Sequence, residues 1–113
     1  MKREYRDYVA DILDALASSV EFNEGMTFDE FKADKKTVFA VTRAIEIIGE
    51  AAESIPPDLR SEYPDIPWRD MAGMRDKLVH EYFGVDVAIL WETLQEDVPS
   101  LLPLMEKMAE DLK

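Results

Sequence analysis

Cysteine is absent from this chain, which rules out a disulfide framework and any thiolate metal site. Histidine occurs once, at position 80, so a zinc site would have to lean on carboxylates, an unusual ligand set. No apolar run is long enough to span a membrane, so no membrane association is expected. The N-terminal MKREYRDYVADIL alternates acids with apolar residues and lacks the apolar centre of a signal peptide. The cytoplasm is the expected compartment. Positive charge is also scarce, with 13 Lys and Arg against 25 Asp and Glu, a formal net charge of −12. Such a balance favours solubility and disfavours nonspecific binding to nucleic acid, and no DNA partner is expected. Strand-like alternation never persists beyond a few residues, and repeats, linkers and low-complexity tracts are missing.

What the chain does contain is helical periodicity. Its 113 residues suit one domain with a real core, residues 1–113. Tyr5, Tyr8, Val9, Ile12, Leu13 and Leu16 form an apolar stripe at steps of three and four, a first amphipathic helix that should end before Asn23-Glu24-Gly25. Thr27 with Glu30 matches a capping box opening a short helical turn. A second long helix is predicted from about Lys35 to about Ser54, closed by Pro56-Pro57. Its middle is apolar almost all round, the mark of a central buried helix. IPWRDMAGMRDKLVHEYF reads as a third helix, with Pro67 near its first turn and Gly84 as its C-terminal stop. Asp86 could cap a last helix, in which Pro99 and Pro103 either introduce a kink or divide two helices near Val98. The fold class is therefore all-α, a compact bundle of about four to five helices.

The stretch RDKLVHEYFG holds the lone histidine, and its polar residues invite a chemical reading. On a continuous helix Asp76 and His80 share a face at i, i+4, while Tyr82 returns to within about 20° of Arg75. The carbonyl end of the helix and the Asp76 carboxylate would both favour a protonated imidazole, suiting a group that exchanges protons near neutral pH. Arginine presents a planar fork of donors that matches two phosphate oxygens. With RNA the ribose 2′-hydroxyl is itself the nucleophile, so the set needs neither a metal nor a protein nucleophile. Arg75 and His80 diverge by about 140° on a straight helix, so one copy makes a poor pocket, and two copies about a twofold axis would make a better one. That chemistry predicts a homodimer. Residue by residue, blander readings stand beside it: His80 as a helix-end dipole partner, Tyr82 as a half-buried anchor, Asp76 as a surface acid.

The run IPWRDMAGMRDKLVHEYFGVD, with RAIEIIGEAAESI upstream, closely resembles the HEPN superfamily and, within it, the HepT-like toxins. The superfamily motif is Arg, four to six residues, then His, with a polar residue commonly after the Arg, and it is met here by Arg75, Asp76 and His80. The HepT-like form adds a tyrosine two positions beyond the histidine, where Tyr82 stands. The resemblance implies a helical bundle that dimerises so that the motifs line a shared cleft, acting as a metal-independent endoribonuclease with no cofactor. It also implies a toxin–antitoxin pairing in which a minimal nucleotidyltransferase antitoxin transfers AMP from ATP to the motif tyrosine. Carried over, Arg75 and His80 are catalytic, Asp76 orients or supports them, and Tyr82 is the adenylylated residue. An adenylate there would set bulk and negative charge beside Arg75, in the place meant for the RNA phosphate.

Arg43, Glu46 and Glu50 fall within about 60° of one another on the second helix. They read either as an internal ion pair of Arg43 with Glu46 or Glu50, or as a brace for the third helix or the dimer cleft. Trp68, Trp91, Met71 and Met74 are expected in the core or an interface. The excess of negative charge keeps a rival open, in which the chain is a non-catalytic nucleotide- or substrate-binding subunit working with a nucleotidyltransferase. A purely structural partner is a further alternative.

Overall fold

The computed structural model describes the backbone of residues 3–80 and 84–113, and the side chains of residues 3–77 and 85–113. Its elements are α1 (Tyr5–Phe22), α2 (Phe28–Ala33), α3 (Lys35–Ser54), α4 (Pro57–Ser61), α5 (Trp68–Leu78), β1 (Val79–His80), β2 (Gly84–Val85), α6 (Val87–Glu92) and α7 (Val98–Asp111). The architecture is all-α. Helices α1, α3 and α5 and the run from Val87 to Asp111 form the bundle, and α2 and α4 are short connectors. No helix among the described residues is long and apolar enough to cross a membrane.

Local chemistry explains most boundaries. Thr27 Oγ1 accepts from the Glu30 amide and Glu30 Oε1 accepts from the Thr27 amide at 2.9 Å, the reciprocal cap that starts α2. Asp34 then opens α3 by accepting from the Thr37 amide at 3.1 Å and from its hydroxyl at 2.8 Å. Asp86 accepts from the Ile89 amide at 3.1 Å and starts α6. Between α6 and α7 lies a π-helical stretch, Thr93–Asp97, in which the Val98 amide reaches back five residues to the Thr93 carbonyl. Pro99 enters the first turn of α7, where a missing N–H costs least, and Pro103 is carried inside the same helix. The join expected near Val98 is thus a π stretch that keeps the run helical, with no intervening loop.

The core is built chiefly from α1, α3, α5 and α7, through Ile12, Leu16, Ile45, Ile48, Met71 and Met105, each fully buried. From the short α2, Phe31 is buried completely and lies 5.2 Å, centroid to centroid, from the half-buried Trp91. Such rings combine large apolar area with a tilted geometry that favours the pair. Trp68, Met71 and Met74 are buried as expected. Helix α3 is central but not apolar all round. Val38, Val41, Ala44, Ile45, Ile48, Ala51 and Ala52 face the core, whereas Phe39 is 63 % exposed and begins an open stripe.

The cap at Asp34 carries a pH prediction. The Thr37 amide, then the Thr37 hydroxyl, hold its carboxyl below the ordinary value of 3.8. The carboxylate form is therefore favoured by folding. Its contribution is present above the unfolded value and is lost as pH falls through the lowered one. Asp34→Asn keeps an acceptor but removes the charge, so it should melt below the wild type at neutral pH. The gap should narrow under acid, from the ordinary value downward, in thermal melts recorded across pH. A gap that stays constant with pH would reject the assignment.

Candidate functional site

Helix α5 brings Arg75 to the surface, and its approach to α3 decides what Arg75 meets. Gly49 of α3 faces the α5 backbone so closely that an added Cβ would stand 3.3 Å from the Ala72 carbonyl oxygen and 3.4 Å from that of Met71. The absence of a side chain there lets the two helices close up. Glu50, the next residue on α3, then reaches Arg75, three residues beyond Ala72 on α5. Arg75 Nη1 lies 3.9 Å from Glu50 Oε1. The same oxygen lies 3.8 Å from Arg43 Nη1, two turns back along the same stripe of α3. Arg75 Nε is 3.8 Å from Asp76 Oδ1.

These contacts form a line of alternating sign, Arg43, Glu50, Arg75, Asp76, running from α3 onto α5. All are longer than a hydrogen bond, so they are Coulombic approaches that leave guanidinium donors free for another acceptor. The side chains of Arg43, Glu50, Arg75 and Asp76 are 61, 52, 41 and 79 % exposed. Water screens pairs this open, and each contributes about 0–1 kcal/mol. The expectation of an internal, buried pair at Arg43 is corrected accordingly. The partner is Glu50, the pair is solvent-facing, and it extends to Arg75. Glu46 lies half-buried on the same stripe. Beside it, Arg43 and Glu50 help to line a groove between α1 and α3, whose other walls include Tyr8, Asp11, Asp14 and Phe22.

Beyond Leu78 the expected helix does not continue. Helix α5 ends at Leu78, and the backbone of Val79–His80 is extended, pairing antiparallel with Gly84–Val85 in the register Val79 to Val85 and His80 to Gly84. Gly84 is therefore a strand residue and not a helix stop. The sequence from Val79 to Val85 is dense in β-branched and aromatic residues, which favour extended backbone and outweigh the apolar periodicity that suggested a helix. Two wheel-based arguments fall with it. His80 does not follow Asp76 at a helical i, i+4 spacing, and it does not occupy the last turn of α5. The side chain of His80, and Tyr82 altogether, lie outside the described residues. Among the described residues no group of three or more acids or histidines is arranged to hold a metal ion.

That the α3 stripe braces the third helix was one of the readings open from the sequence; the pairing of Glu50 with Arg75 in particular was not legible, because no spacing rule links positions on different helices. The one signal was Gly49, a glycine inside an otherwise helical pattern, which often marks close backbone approach.

Comparison with known proteins gives one consistent answer. Residues 12–108 match the family model described as "Ribonuclease HepT-like". A relative from Thermococcus cleftensis, named "Probable ribonuclease HepT", is 55 % identical over 108 residues, covering 96 % of this chain and 98 % of its own. Another, from Methanocaldococcus jannaschii and named "Putative RNase MJ1216", is 41 % identical over 112 residues, covering 99 % of this chain and 93 % of its own. No solved structure matches the chain.

Proposed function

Because this chain belongs to the HepT-like ribonuclease family, we propose that it is an endoribonuclease whose Arg75 and His80 cleave RNA in a cleft shared by two protomers. The reading extends to a toxin acting in the cytoplasm as a single domain over residues 1–113. A minimal nucleotidyltransferase antitoxin would silence it by adenylylating Tyr82.

The observation that carries the chemistry is the state of Arg75. It is 41 % exposed, and its ion contacts at 3.8 and 3.9 Å leave its donors available to a phosphodiester. In the reaction the ribose 2′-oxygen bonds to phosphorus as its proton leaves to a base, and the bond from phosphorus to the 5′-oxygen breaks. The departing oxygen takes a proton, leaving a 2′,3′-cyclic phosphate and a 5′-hydroxyl. His80 serves the proton transfers, Arg75 holds the phosphate as its charge builds, and Asp76 supports Arg75. No step needs a metal or cofactor. Phe22 and Phe39, 45 and 63 % accessible, offer apolar surface for a second copy to cover.

The net charge of −12 favours the rival of a non-catalytic nucleotide-binding subunit, since free RNA meets repulsion over most of the surface. Purified protein incubated with total RNA and a chelator separates the two. Chelator-resistant cleavage that falls by about 10²–10⁴-fold in His80→Ala supports the enzyme. Tight nucleotide binding without cleavage supports the subunit. Co-production with a nucleotidyltransferase should add the mass of AMP to the peptide containing Tyr82, and an unmodified peptide would reject the silencing mechanism.

A further inference from the structure

The line of charge across α3 and α5 contains more cation than one phosphate requires. Arg43 and Arg75 approach the same oxygen, Glu50 Oε1, at 3.8 and 3.9 Å, so their Nη1 atoms are no farther apart than those two contacts laid end to end. That is an upper limit, and the step between successive phosphates on one strand of nucleic acid falls within it. Each arginine is substantially exposed, at 61 and 41 %, and neither is hydrogen-bonded to the carboxylate between them. An anion midway between two open guanidinium groups marks where anionic charge is favoured.

We propose that Arg43 binds the phosphate adjacent to the one held by Arg75, so that the protein grips two consecutive phosphates of a single strand. This rests on the reading that Arg75 receives an RNA phosphate, and it adds the substrate requirement of at least two linkages. In the free protein the Glu50 carboxylate holds the place between the arginines. Its contacts there are screened and weak, whereas a phosphate offers each guanidinium a two-pronged, charge-assisted set of hydrogen bonds. The exchange therefore favours the nucleic acid, and Glu50 swings outward into water. Asp11 and Asp14 on the α1 side of the adjoining groove repel phosphates, which directs the strand across α3 towards α5 and not along the groove.

Short 2′-O-methylated oligouridylates, which bind but cannot be cleaved by 2′-hydroxyl attack, test this independently of catalysis. The wild type should prefer UpUpU, with two phosphates, over UpU, with one, by about tenfold in Kd, and Arg43→Gln should collapse that preference. Arg43→Lys should restore part of it, and Glu50→Gln should tighten binding of UpUpU. The clamp is overturned if the preference survives in Arg43→Gln, even with both affinities lowered, since Arg43 would then act only by positioning Arg75. It is equally overturned if the wild type shows no preference. Should the split appear while unmodified RNA stays intact, the nuclease reading fails and the two-phosphate site stands.

Discussion

Arg75→Ala should lower kcat/KM for RNA cleavage by about 10²–10³-fold, the loss typical of removing one donor aimed at developing charge. The expectation follows from placement as much as from residue type. Gly49 lets α5 close on α3, so the guanidinium is held at the rim of the bundle beside Glu50 and Asp76, and its donors are not used up in hydrogen bonds to them. Stability should hardly change, because each exposed contact contributes about 0–1 kcal/mol. Arg75→Lys should recover only part of the rate. Lysine keeps the charge but cannot grip two phosphate oxygens with a planar fork. Steady-state kinetics alongside denaturant melts would check both halves. An alanine variant that folds normally and cleaves at the wild-type rate removes Arg75 from the mechanism.

The second large effect concerns folding. Ile48→Ala should cost about 2–5 kcal/mol, through lost burial plus the cavity left behind. Ile48 is completely buried on the core face of α3, one residue before the glycine that seats α5. Domains of this size carry roughly 5–15 kcal/mol in total, so the variant should melt far below the wild type, in places at the edge of folding. Glu53, exposed on the same helix, provides the control: Glu53→Ala should stay within about 0.5 kcal/mol. Urea unfolding of the three proteins reads the difference. Equal midpoints for Ile48→Ala and the wild type would mean that α3 does not present this face to the core.

Two faces of one helix thus carry two jobs, and they differ in how visible they are in the sequence. The extent of α3 was legible at both ends, from Lys35 to Ser54, because its start and stop are local chemistry, a capping aspartate and a proline pair. The same holds for the end of α1 at Phe22, the Thr27 and Glu30 cap, and the Asp86 cap. Where local signals compete, periodicity misled. From Val79 onward the apolar spacing suited a helix, yet β-branched and aromatic residues favour the extended pairing observed. The geometric argument joining Asp76, His80 and Tyr82 on one wheel went with it. The motif Arg75, Asp76, His80 and Tyr82 remained readable as a pattern of residue types, which needs no helix to be recognised.

By itself the sequence determined the helical class, most helix limits, the absence of thiol chemistry and the membership of a ribonuclease family. Those properties depend on residues near one another along the chain, or on residue types alone. Tertiary structure decided that Glu50 would sit between Arg43 and Arg75 and that this line would face water. The reason is range: an approach between helices depends on how their surfaces fit, here through the missing side chain at Gly49, and no spacing within either helix encodes it.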